Sequence, residues 1–367
     1  MKKHALGLLT IALSITACKR DATNDYTIPT TYNFENVSYS GQTARLDMME
    51  EMTTYMKTAN TSNADALDGA KLKDMYSNSN SQFTSAGLNS STKQLKSKTV
   101  ESMRASFESY MDAIAVASAS TSETAADGQA GIITKVDNSG GYLLNANGVE
   151  LTQIIEKGLM GACFYYQGTA VYMGSGKMDV DNEAVTEGEG TEMEHHWDEA
   201  FGYFGVATDF PTNTSDLRFW GKYCNKRNAV LGTNATMMNA FLKGRAAISN
   251  NDLEARDEAI ATLQTNWEII AAATAIAYLN DTKDNWTTDP AIAHHALSEA
   301  YAFILGLKYG ASKSLTHAQV DEILVALSGS ADPLQANFYT VDSTKLDAAI
   351  DAIATYYSSL ESVKTNL

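Results

Sequence analysis

Proline is almost missing from this chain: Pro29, Pro211, Pro290 and Pro333 are the 4 among 367 residues. A residue that costs a helix interior about 3 kcal/mol is rarely in the way, so long helices are admissible. Cysteine is as scarce. Only Cys18, Cys163 and Cys224 occur, and none lies in a Cys-x-x-Cys arrangement, which excludes a disulfide framework. Basic charge is short too: 27 Lys and Arg stand against 44 Asp and Glu, a formal net charge of -17. Such a surface repels polyanions, which excludes nucleic acid as a partner and leaves cationic ligands, metal ions and basic proteins. Acidity alone often serves only solubility. Past the first residues no run approaches the about 20 apolar residues of a membrane-spanning helix. The zinc-protease pattern His-Glu-x-x-His is absent, and no fixed-period repeat of the solenoid kind is present.

The first residues form an address. Lys2 and Lys3 precede an apolar run from Ala5 to Ile15, of signal-peptide length. Ile15-Thr16-Ala17-Cys18 resembles the lipobox of bacterial lipoproteins, which implies a signal peptide over 1–17, cleavage before Cys18 and lipidation of its thiol. Several acyl chains there would hold the protein to a membrane. Lys19-Arg20-Asp21 loosely resembles the charged export tags of surface lipoproteins in Bacteroidota, so the expected location is an outer-membrane lipoprotein, periplasmic or surface-exposed. Residues 18–42 read as the lipidated tether. Cys163 and Cys224 either pair in that oxidising setting or stay buried as small apolar residues, and burial is the expectation.

Beyond the tether, Ala-, Leu-, Met-, Lys- and Glu-rich stretches alternate with polar breaks, which predicts an all-α fold. Apolar spacing predicts helices over Thr43–Lys57, Ala66–Tyr76, Lys93–Ala117 and Val149–Tyr172, with a polar stretch from Ser118 to Gly141. Gly158, Gly161, Ala162 and Gly168 would let another helix approach the last of these closely. The acidic, aperiodic segment Lys177–Gly190 divides the chain into an N-terminal half (43–180) and a C-terminal half (187–367), expected as two packed helical bundles. In the second half helices are predicted near Thr191–Tyr203, Ala235–Ile248, Leu253–Leu279, Pro290–Leu307, His317–Leu327 and Ser343–Leu360.

The chemistry concentrates in two adjacent histidine pairs, His195-His196 and His294-His295. His196 and Glu199 are spaced i, i+3; His195 and Glu199, like His295 and Glu299, are spaced i, i+4. Each set therefore shares a helix face. Thr191 with Glu194 has the form of a capping box, and Asp289-Pro290 is a strong helix start, so each pair lies about one turn inside a helix. There the helix dipole favours neutral imidazole, the form that binds metal. Were the two helix starts to face each other, up to four imidazoles and two carboxylates would converge. Against this, adjacent histidines point about 100° apart on a helix, and a buried His–Glu pair is a common structural device. Trp197 and its aromatic neighbours are expected in the core. Arg245, set in an apolar run, either snorkels outward or pairs with Asp198 or Glu199, and pairing is favoured. His317 reads as a capping or surface residue.

The run His195-His196-Trp197-Asp198-Glu199-Ala200-Phe201-Gly202-Tyr203-Phe204-Gly205 resembles an uncharacterised Bacteroidota lipoprotein family. Arg45-Leu46-Asp47-Met48, Gly158-Leu159-Met160-Gly161-Ala162, Gly244-Arg245-Ala246-Ala247-Ile248 and His295-Ala296-Leu297-Ser298-Glu299-Ala300 add to the likeness. That family is similar in turn to imelysin-like envelope proteins, whose Gly-x-His-x-x-Glu motif His196 and Glu199 match, with Glu194 where the motif has Gly. The resemblance implies an all-helical protein of two bundle-like halves in an iron-uptake context. It suggests a bound metal, haem or iron complex, with iron, zinc or haem as cofactor classes. No nucleophile supports catalysis. A metal-dependent hydrolase using Glu199 as base, and a surface interaction module with structural His–Glu pairs, are the two alternatives.

Overall fold

The computed structural model describes residues 26–367, so the predicted leader and Cys18 lie outside the described residues. Methionine spacing starts the fold: Leu46, Met49, Met52 and Met56 fall on the buried face of α1 (Ser40–Lys57). Asp68 caps α2 (Gly69–Ser77) by accepting from the Ala70 and Lys71 N–H groups. A short α3 (Ala86–Ser90) leads to α4 (Arg104–Ser118). The single helix predicted over Lys93–Ala117 is instead two 3-10 turns followed by α4. Its first part is broken at Thr99, whose hydroxyl bonds back to the Leu95 carbonyl at 3.0 Å, and at Val100, whose N–H goes to the Ala162 carbonyl at 2.8 Å.

The polar stretch after α4 holds a hairpin that the helical reading overlooked. Antiparallel β1 (Gly131–Thr134) and β2 (Gly141–Leu144) pair Ile132 with Leu143, and both side chains are buried. Asn138 at φ 58° and Gly140 at φ 147° supply the turn.

Next, α5 (Leu151–Leu159) runs on into a π-helical segment (Met160–Val171). Short α6 (Ser175–Met178) precedes α7 (Glu192–Phe204), α8 (Phe219–Leu231), α9 (Thr233–Ser249), α10 (Leu253–Asn285) and α11 (Pro290–Gly306). The chain ends in α12 (His317–Ser328), α13 (Ser343–Tyr356) and α14 (Ser358–Glu361). The fold is all-α, with only the one small hairpin among the described residues. α8 was not anticipated: its surface is crowded with Lys222, Lys226 and Arg227, and only Phe219, Trp220, Gly221, Tyr223 and Cys224 are buried.

α10 is the central rod. Its alanine-rich middle, Ala271 to Ala277, is buried throughout, and α9 and α11 pack along it. The small residues of α5 and its π continuation act as expected. Gly158 abuts Phe107 of α4, Gly168 abuts Trp267 of α10, and Gly161 meets Gly306 of α11 backbone to backbone. Elements on both sides of Lys177–Gly190 feed one contiguous core running from Tyr32 to Leu360. Cys163 and Cys224 are unpaired and buried, and burial pushes both thiols up to about 12.

Gly161 gives a direct check on this packing. A Cβ there would stand 2.9 Å from the Gly306 Cα, a backbone atom that cannot rotate away. Gly161→Ala is expected to cost about 1–3 kcal/mol by overpacking, seen as a lower midpoint in denaturant unfolding. An unchanged midpoint would show that α11 does not lie on this helix.

Candidate functional site

α7 begins where its sequence said it would. Thr191 and Glu194 form the capping box, which fixes the first turn and places His195 and His196 just inside it. Its two sides then do different work. On one, Asp198 is fully buried and accepts from the Arg245 Nε at 3.0 Å, the Tyr32 hydroxyl at 2.7 Å and the Ser38 N–H at 3.3 Å. Burial pushes its carboxyl up to about 6, although Arg245 and Tyr32 pull it back. Arg245 also bonds Glu194, so its carboxylate partners are Asp198 and Glu194 rather than Glu199. Trp197 is core: its indole N–H donates to the Phe241 carbonyl at 3.1 Å, and its ring lies against Gly244.

The other side carries Glu199. Gly202, where a Cβ would sit 2.7 Å from the Tyr39 Cβ, lets the start of α1 close on α7 and deliver Gln42. Glu199 accepts from Gln42 Nε2 at 2.8 Å and from the Tyr172 hydroxyl at 3.1 Å, with His196 Nδ1 at 3.4 Å and His195 Nε2 at 4.0 Å. Burial works against its charge, but these donors outweigh it and hold the carboxyl down at about 2. Lys98, whose ammonium burial weakens, donates to the Tyr172 hydroxyl at 2.9 Å.

The protonation pattern of His196 follows from its partners. Lys177 Nζ lies 3.2 Å from His196 Nε2. An ammonium can only donate, so Nε2 is the acceptor and Nδ1 carries the proton given to Glu199. His196 is thus a neutral imidazole with its lone pair turned away from Glu199. On that side Glu192 Oε1 is 3.5 Å from Nε2. Glu192 also lines, with Asp181, Glu189 and His195, an acidic pocket of about 330 Å³.

The second pair has the opposite chemistry. Asp289 caps α11 with Pro290 in its first turn, as expected. His294 is buried between Trp286 and Tyr339, with Nδ1 2.8 Å from the Gly148 carbonyl, and burial lowers its pKa. It is a neutral core histidine. His295 stacks on Tyr142 at 4.3 Å and stands between two carboxylates, Glu150 at 2.6 Å from Nδ1 and Glu299 at 3.6 Å from Nε2. Burial disfavours its charge, but Glu150 and Glu299 prevail and raise its pKa, which favours the imidazolium that donates to both. Glu299 further holds Lys157 at 3.3 Å and the Tyr223 hydroxyl at 3.3 Å, and Lys157 pairs with Glu156 at 2.8 Å.

The two pairs therefore do not meet. The partners of His196 and Glu199 come from α1, α6 and the end of the π segment, while those of His294, His295 and Glu299 come from α5 and the residues just ahead of it, α8 and the hairpin. The four-imidazole site conditional on facing helix starts is not formed. Among the described residues no group of three or more His, Cys, Asp or Glu is arranged to hold a metal ion.

Residues 29–359, nearly all of this architecture and both networks, match the family described as Domain of unknown function (DUF4856). The chain belongs to that family. No curated protein and no solved structure matches it.

Sequence reasoning missed Gln42, Tyr172, Lys98 and Lys177 around Glu199, because their approach is a property of packing. It also missed Glu150, Glu156 and Lys157, whose signal was legible: charged residues within the apolar run that starts at Val149, just ahead of α5, the pattern that singled out Arg245. His295 gives a pH test. Its raised pKa contributes stability that is full below the unfolded value of about 6.5 and is lost as pH rises through the folded value. Stability of the wild type is expected to fall between mildly acidic and alkaline pH on this account. His295→Gln should flatten that slope and cost about 3–5 kcal/mol by stranding Glu150. Urea unfolding across that range reads both, and an unaltered slope would remove His295 from the ion pair.

Proposed function

We propose that this protein is a non-catalytic binding lipoprotein of the cell envelope, and that the His196 face of α7 takes up a metal carried with its own ligands, such as an iron complex. The observation that carries the proposal is the oriented lone pair of His196. Glu199 fixes the ring through Nδ1, and Nε2 is presented to a cation beside Glu192 and an acidic pocket. A carboxylate behind a histidine is the usual outer partner of a metal-binding imidazole. At present the cation at Nε2 is the ammonium of Lys177. Among the described residues the side chains supply too few donors for a closed site, which favours a complex whose own ligands fill the remaining positions over a bare structural zinc. The similarity of His196-x-x-Glu199 to the imelysin-like motif supports the iron context, and the lipobox-like Ile15-Thr16-Ala17-Cys18 supports the envelope address and the membrane as its partner.

The hydrolase alternative is weaker on this geometry. A carboxylate held at about 2 by three hydrogen-bond donors is a poor general base at neutral pH. His294, His295 and Glu299, included with the ligand candidates on sequence, are better read as structural groups that bind α11 to α5 and the hairpin.

Titration of the full chain with ferric citrate, followed calorimetrically, tests the proposal. The wild type should bind saturably, His196→Ala should bind at least about tenfold more weakly, equivalent to about 1.4 kcal/mol, and Lys177→Met should bind more tightly. A gain in the lysine variant cannot come from misfolding. Affinity unchanged in both variants, or no binding in the wild type, would overturn the proposal.

A further inference from the structure

A second pocket, of about 490 Å³, opens where the start of α4, the end of α11 and the loop after α12 meet. It shares no residue with either histidine network, and its volume is in the range of small-molecule sites. Its chemistry is of one kind. Ser102, Ser106 and Ser109 line it from α4 and the turn before it, at i, i+4 and i+7, so their hydroxyls form one stripe. Tyr110 and Tyr309 line it as well. Tyr309 is 8% exposed, and its hydroxyl finds no hydrogen-bond partner among the described residues. That hydroxyl is closed off from the pocket, so Tyr309 contributes its ring to the wall.

Charge narrows the class of occupant. Of the two lining side chains that can carry positive charge, Lys308 is neutralised by its ion pair with Asp321, and His317 donates through Nε2 to the Lys308 carbonyl at 2.8 Å. Asp332 remains as a single exposed carboxylate, with Oδ1 accepting the Leu334 N–H at 3.0 Å. With both engaged, neither of these lining residues is a free cation for an anionic ligand. One carboxylate among hydroxyls is a weak cation site but a good acceptor for ligand hydroxyls, since charge-assisted bonds are the stronger ones. Met103, Leu305 and Leu334 add apolar wall for the C–H face of a ring.

We propose that this pocket binds a neutral saccharide of one or two sugar rings, with Asp332 bonding its hydroxyls and the serine stripe setting its orientation. The proposal is independent of the α7 site. Saturation-transfer NMR on the full chain, against a panel of neutral mono- and disaccharides, tests it, with inorganic phosphate and putrescine as charged comparators. At least one saccharide should bind saturably. Asp332→Asn should weaken it about tenfold, and Ser106→Leu, which fills the pocket from an accessible helix face, should abolish it. His196→Ala should leave it unchanged. Absence of binding by every saccharide, binding indifferent to Asp332→Asn and Ser106→Leu in folded protein, or preference for phosphate or putrescine at these residues would overturn it.

Discussion

The buried ion pair between Asp198 and Arg245 is the constraint on which the α7 site depends. Neither side chain is more than marginally exposed, and a charge in that position is tolerable only with its partner in place. The pair joins α7 to α9. Tyr32, Ser38 and the Glu35 carbonyl extend it into the segment leading to α1. With Asp198 pinned inward, the next residue along the helix must project about 100° away. That residue is Glu199, which therefore faces Gln42, Tyr172 and the histidines. The side that holds α7 and the side that presents chemistry are set by one interaction.

Two histidine pairs with the same spacing and the same position in their helices end up with opposite chemistry. His196 has Glu199 beside Nδ1, but at Nε2 the Lys177 ammonium at 3.2 Å stands closer than Glu192 at 3.5 Å, which makes it a neutral, oriented acceptor. His295 has a carboxylate beside each nitrogen, which makes it a charged donor. The difference lies in the neighbours supplied by other elements: Lys177 from α6 in one case, Glu150 ahead of α5 in the other. A histidine–glutamate spacing along a helix thus states that a pair can form and leaves its protonation state to tertiary packing.

That division explains what could be read beforehand. The helical class, the caps at Thr191 and Asp289, the burial of Trp197, Cys163 and Cys224, and the close approach through Gly161 rest on local propensity, hydrophobic pattern or residue size. These are properties a sequence carries. The hairpin was passed over because Ile132-Ile133-Thr134 is short and sits in a polar stretch, and α8 because its basic surface hides a narrow apolar face. The break at Thr99 depends on one hydroxyl–carbonyl bond. The partners of Glu199 and His295 from outside their own helices come from 27 to 157 residues away along the chain, and nothing local encodes them. Glu150, Glu156 and Lys157 are the avoidable omission.

The central claim is that His196 is a neutral imidazole with its proton on Nδ1, while His295 carries protons on both nitrogens. Long-range proton–nitrogen NMR correlation on the histidine-labelled full chain at neutral pH reads this directly. The account predicts a bare Nε2 for His196 and two protonated nitrogens for His295. A proton on His196 Nε2 combined with a neutral His295 ring would contradict it.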